Sequence, residues 1–239
     1  MGAAGGGAPA AARAGPPPRR PARPARGAAT APPLGVPPFT DCLPGPRGAR
    51  AGGGAGAALG ALAAPAGAAG TPRFLSPSQL PPHPSSAWYA GPVTAGQPDP
   101  LPMCVGDALP STSVHRAYYT DLDTNALQVT VVERDAQHAK AFAALLRKHL
   151  DSCAKDVMAE YPDVTARQKY YGKLPVEEGA VVYGVNTRTT WGATDINLFS
   201  VGRDGRIVTV VRWGQMGGFR DAPVAAFKKT TVTAVNKLR

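Results

Sequence analysis

The chain changes character at residue 70, and that break decides which part of it can fold. Residues 1–70 are almost entirely Gly, Ala, Pro and Arg, contain no Trp, Tyr, Ile or Lys, and have Phe39 as their sole aromatic. Such a segment buries too little apolar surface to offset backbone ordering, which costs about 1–2 kcal/mol per residue. Residues 71–239 hold all three tryptophans and all seven tyrosines. They are long enough for one domain with a sizeable core. The composition therefore predicts four stretches: a disordered segment over 1–50, a signal-peptide-like or linker segment over 51–70, a Pro-rich wrapping segment over 71–111 and a core over 112–239.

Charge divides at the same place. The first 70 residues carry seven Arg against Asp41, a net +6, so only +4 of the chain's +10 belongs to residues 71–239. A strongly basic chain invites a nucleic-acid reading. With the domain itself only mildly basic, the charge argues against that partner.

Residues 47–70 resemble an export signal. Arg47 and Arg50 supply a positive start, residues 51–66 are uncharged and small or apolar, and Ala66-Gly67-Ala68 fits a small-x-small cleavage site. Leu59 and Leu62 are the only large apolar residues there, too few for a membrane span. This reading requires that translation begin near Leu43 or Val36, so that residues 1–50 are a mis-assigned start. The competing reading is a plain Ala/Gly linker, which would leave the protein cytoplasmic. Cys42 follows Phe-Thr-Asp, without the small apolar residues of a lipid-attachment site.

Removal of Cys42 by processing leaves an even pair, Cys104 and Cys153. In an exported protein these are expected to form a disulfide. The bridge would close a loop of about 50 residues and contribute roughly 3–4 kcal/mol. The alternative is two unrelated buried thiols. Neither has a CxxC neighbour, and no Cys/His cluster has zinc spacing.

Ten prolines between 72 and 110 exclude long helices there. Phe74, Leu75, Leu80 and Trp88 can still anchor that segment on a core. Strands are predicted over 115–121 and 126–133, the second with Leu127, Val129 and Val131 alternating with Gln128 and Thr130. A helix is predicted over 135–160, with Asp135 as N-cap and one apolar stripe of Ala139, Phe142, Leu146, Leu150, Cys153 and Val157. Four more strands are expected at 165–171, 178–187, 194–202 and 206–213, the last two joined at Asp204-Gly205 in a hairpin. Gly214, Gly217 and Gly218 read as a loop. Asp221 and Pro223 then open a final helix, with Val224, Phe227, Thr231, Val235 and Leu238 on one face. The expected class is α+β: an antiparallel sheet of about six strands, β-β-α-β-β-β-β-α, with both helices on one face.

No Walker loop, HExxH, GxSxG or EF-hand loop occurs in the sequence. His83, His115, His138 and His149 show no metal-ligand spacing, so neither a metal nor a cofactor is expected. Glu177-Glu178 are adjacent, and adjacent strand residues point to opposite faces, against a paired acid–base role. Aromatics on or beside strands (Tyr118, Tyr119, Tyr170, Tyr171, Tyr183, Trp191, Trp213) accompany Arg116, Arg188 and Arg212. From these, Arg116, Tyr118, Tyr183, Arg188, Trp191, Arg212 and Trp213 are the candidate ligand-binding residues for a polar ligand or glycan. The competing reading is sheet core plus exposed arginines.

The segments FLSPSQLPPHPSSAW (74–88), HRAYYTDLDTNALQVTVV (115–132), VEEGAVVYGVNTRTTWGATDINLFSVGRDGRIVTVVRWGQMG (176–217) and APVAAFKKTTVTAVNKL (222–238) resemble the PknH-like extracellular sensor-domain family of actinobacteria. The resemblance spans nearly all of 74–239 and none of 1–50. It implies an α+β sensor fold outside the membrane with a cleft for a ligand, either fused to a receptor kinase or exported alone. These residues include no kinase domain, so phosphorylation is not carried over. The kinase-linked sensor domain has two disulfides, of which Cys104 and Cys153 match at most one. The family supplies no catalytic residue.

The leading expectation is thus an exported, non-enzymatic sensor-like or ligand-binding domain of the cell envelope. Its partner would be a small molecule, a glycan or an envelope protein. A secreted enzyme with an unrecognised site and a structural or protein-binding envelope module are the alternatives.

Overall fold

A computed structural model describes residues 72–239. These belong to the second of two units into which the chain divides, Ala63–Arg239. The segment expected to be disordered, Cys42 and the stretch expected to be a signal with its cleavage site lie outside the described residues.

Seven antiparallel strands form one sheet: β1 (Tyr89–Ala95), β2 (Val114–Tyr119), β3 (Asn125–Val132), β4 (Val164–Leu174), β5 (Ala180–Thr189), β6 (Thr194–Asp204) and β7 (Ile207–Met216). Their spatial order is β1-β2-β3-β7-β6-β5-β4. Helix α1 (Ala136–Glu160) follows β3, and α2 (Val224–Asn236) ends the fold. The α+β class and both helices are as expected. The seventh strand comes from within the Pro-rich segment: β1 contains Pro92, and its register with β2 slips between Ala90 and Val93. Proline cannot donate to a ladder, so it is confined to edges and bulges, and β1 is both.

The helices lie on opposite faces, a correction to the one-face arrangement. Successive strand residues point to opposite sides. On β5, Val181, Tyr183 and Val185 share a core with Leu146, Leu150 and Val157 of α1. Val182 between them joins Phe227 and Ala234 of α2. The central strands are accordingly buried on both sides where the helices cross them, β5 from Ala180 through Val185. The α2 side holds a third component, residues 72–88, whose Leu75 and Leu80 are buried with α2.

Local chemistry explains the ends of the elements. Asp135 caps α1, accepting from the His138 N–H. The β6–β7 hairpin turns on Gly205-Arg206, with only Gly205 at positive φ (57°). Asp221 does not cap α2; Pro223 holds that position, and the Asp221 carboxylate accepts from the Gly218 N–H at 2.7 Å. Gly214 lies inside β7, not in a loop, and glycine suits the position because a Cβ there would approach Asn197 Oδ1 to 2.5 Å. Glu177 and Glu178 lie in the β4–β5 turn, outside either strand.

Cys104 and Cys153 are joined, with Cα atoms 5.3 Å apart, tying the segment before β2 to α1. Their loop spans 49 residues, so the bridge stabilises by about 4 kcal/mol through lost denatured-state freedom.

Candidate functional site

Helix α2 covers β4 to β7, which leaves the same face of β1 to β3 to residues 72–88. That cover is fixed by buried polar bonds. The Leu75 N–H donates to Gln128 Oε1 at 2.8 Å, and the Tyr118 hydroxyl donates to the Leu75 carbonyl at 2.9 Å. Lys237 Nζ donates to the Phe74 carbonyl at 2.9 Å and to Gln79 Oε1 at 2.8 Å. Thr230 Oγ1 donates to the Gln79 carbonyl at 2.7 Å. Gln128 and Thr130, which alternate with Leu127, Val129 and Val131, are buried as well.

The cover is incomplete. Between Pro72-Arg73-Phe74 and the sheet lies a pocket of about 390 Å³, floored by Val114, Arg116, Thr130 and Val132, with Val93 at its rim. Strand register places these side chains together: Val93 pairs with Arg116, and Val114 with Thr130. The lining is mostly apolar with two arginines, Arg73 in the covering segment and Arg116 on the sheet, a composition suited to a small-molecule site. Arg116 is held from below. Its Nε donates to the Gly91 carbonyl at 2.8 Å, Nη1 reaches the Leu75 carbonyl at 3.4 Å, and the group stands 5.7 Å from the Tyr118 ring. Nη2 has no partner among the described residues. Thr130 Oγ1 is buried and has no hydrogen-bond partner there.

The seven candidate residues do not converge. Arg116 lines the pocket, and Tyr118 lies beneath it as core. Burial holds the Tyr118 phenol well above the usual tyrosine range, against the opposing pull of Arg116. Trp213 is buried on the same face and lines a separate hollow with Pro81–Ser85 and the Leu122–Thr124 turn. Tyr183 and Arg212 point to the α1 face. Burial, with a 2.6 Å hydrogen bond to Asp151 Oδ1, raises the Tyr183 phenol. Arg212 donates to Asn197 and Asn125, each at 2.9 Å, and burial lowers its guanidinium. Arg188 and Trp191 lie at the β5–β6 connection, where Trp191 is 71% exposed.

Sequence reasoning missed Phe74, Val93, Val114 and Thr130. Their signal was the alternation of β2 and β3 itself, once the Pro-rich segment is laid over one side. Among the described residues, no group of three His, Cys, Asp or Glu side chains could hold a metal ion. No helix among them is long and apolar enough to cross a membrane.

No family model matches the chain, and no curated protein does. Among solved structures, the extracellular domain of PknH from Mycobacterium tuberculosis is similar at 14% identity and a TM-score of 0.39, over 70% of this chain and 98% of that one. A likeness of that size transfers no residue role.

Proposed function

We propose that this protein is an exported, non-enzymatic ligand-binding module of the cell envelope. It takes a small amphipathic molecule with an apolar body and an acceptor-bearing head. The observation that carries this reading is the 390 Å³ apolar pocket with the Arg116 guanidinium in its wall. The ligand's apolar part lies against Phe74, Val114 and Val132, and its carboxylate or similar head accepts a charge-assisted hydrogen bond from Arg116 Nη2, the nitrogen not engaged by Gly91 or Leu75. The Cys104–Cys153 disulfide supports the extracellular setting, because such bridges persist in oxidising compartments.

The test is a thermal-shift titration with decanoate, decanol and short carboxylates. A ligand at one hundred times its Kd stabilises by about 2.7 kcal/mol. Decanoate is expected to raise Tm, decanol less so, and acetate not at all. Val93→Asp should abolish the response, and Arg116→Gln should remove the preference for the acid. A flat response throughout would favour an envelope protein-binding module instead. That second reading draws on the exposure of Val93 and Val132, 51% and 43%, among the pocket's apolar residues.

A further inference from the structure

On the opposite face, where α1 passes over the ends of β4, β5 and β6, lies a second pocket of about 260 Å³. Its chemistry is unlike the first. Lys140 and Arg147 reach it from α1, Lys173 from β4 and Arg203 from β6, with Glu178 as the one carboxylate. Glu178 is already engaged. Its oxygens accept from the Gly205 N–H at 2.9 and 3.0 Å, and one lies 3.4 Å from Arg203 Nη1. Arg203 also donates to the Gly205 carbonyl at 2.8 Å. Lys140, Arg147 and Lys173 make no ion pair with another described residue. Three uncompensated cations from two elements thus face one concavity.

The floor keeps this space open. Ala143 and Ala144 of α1 and Gly179 of the β4–β5 turn line it, so no long side chain enters from those positions. Gly179 has φ +104°, and a Cβ there would come within 2.7 Å of Lys173 Cε. Glycine therefore permits the turn and lets the Lys173 stem lie across it. A basic surface that is merely solvated needs neither a hollow nor a glycine beneath its lysine. Gathering like charges in a concavity is unfavourable until an anion neutralises them.

We propose that this pocket binds a phosphate group. A tetrahedral phosphate anion offers acceptors in several directions, matching the uncompensated cations that approach from α1 and β4, whereas a planar carboxylate is satisfied by one fork. The group arrives either as a free phosphate or on a phospholipid headgroup. This inference is independent of the apolar pocket, from which it is separated by the sheet.

The experiment titrates the full chain with inorganic phosphate, against chloride at matched ionic strength. In parallel, cosedimentation is measured with phosphatidylcholine vesicles with and without phosphatidylglycerol. Saturable phosphate binding is expected, weakening about fivefold in Lys140→Gln and again in Lys173→Gln, and falling with added salt. Both lysines are exposed, so neither change threatens the fold. Lys155→Gln, on α1 but outside the pocket, should leave binding unchanged. Phosphate binding that the double variant loses bears the proposal out for the free ion. Phosphatidylglycerol-dependent sedimentation lost in the same variant, with inorganic phosphate inert, bears it out for the headgroup. No response in either arm, a response that survives the double variant, or an equal loss in Lys155→Gln overturns it.

Discussion

Thr130 shows how one covering segment changes the meaning of a residue. Its hydroxyl is buried without a partner, and a buried polar group left unmade costs about 1–3 kcal/mol. Thr130→Val keeps the shape and removes the hydroxyl. It should stabilise the domain by about 1 kcal/mol, read as a shift of the urea midpoint at unchanged slope. An unchanged or lower midpoint would mean that the hydroxyl is satisfied. Two tyrosines set the alkaline limit. Tyr118 and Tyr183 keep their protons in the fold far above the usual tyrosine range, chiefly through burial. Unfolded tyrosine ionises near pH 10. Above that pH the unfolded chain binds fewer protons than the fold, so stability falls as pH rises. The contribution is complete below about pH 10 and is lost progressively above it. Denaturant midpoints between pH 8 and 11.5 should show that decline, and Tyr118→Phe should make it shallower. Sequence reasoning reached Tyr118 and Tyr183 by their residue type but could not tell a binding surface from a core. That distinction rests on which segments cover each face, which is non-local.

At the scale of elements, legibility followed how local the cause was. Helix α1 and the β6–β7 hairpin were readable because a single apolar stripe and one Asp-Gly step specify them. Strand β1 was not, because Pro92 demotes a strand reading wherever it occurs, and only pairing with β2 rescues this edge. The facing of the helices was in fact written in the sequence. Ala180–Val185 and Ile207–Val211 are continuous apolar or buried runs, the pattern of strands covered on both sides, not the alternation of a half-exposed sheet. Gly202 marks where the second cover meets the sheet. A Cβ there would collide with the Val235 side chain of α2 and come within 3.1 Å of the Ala180 Cβ. Gly202→Ala should therefore destabilise by about 1–3 kcal/mol. With Val235→Ala added, the double variant should lose less stability than the sum of the two single losses, because the atoms removed are those that clash. Strict additivity of the two losses in a double-mutant cycle would place the strain elsewhere.

At the scale of the whole fold, among the described residues, contacts between segments far apart in sequence hold the covers in place. Residues 72–80 are held on the sheet by Gln128 and Tyr118 at Leu75, and by Thr230 and Lys237, far off in sequence, at the Gln79 and Phe74 backbone. The disulfide does the same on the opposite face, linking Cys104 ahead of β2 to Cys153 in α1. Each cover of the sheet thus has a fastening that is distant in sequence. Such contacts must overcome loop-closure entropy before they stabilise anything. The disulfide removes that cost from one side, and the two pockets lie on different sides. Reduction should therefore separate the functions. With Cys104→Ser and Cys153→Ser together, global stability is expected to drop by about 4 kcal/mol, measured by urea unfolding. The α1 face carries the Lys140–Arg147 pocket and should loosen first, seen as faster amide exchange across residues 101–109 and α1. The Arg116 pocket, fastened by Lys237, should keep its exchange protection under the same native conditions. Lys237→Met should give the reverse pattern, loosening residues 72–80 while α1 stays protected. Equal loosening of both faces in either variant would show that the sheet transmits the two covers as one cooperative unit.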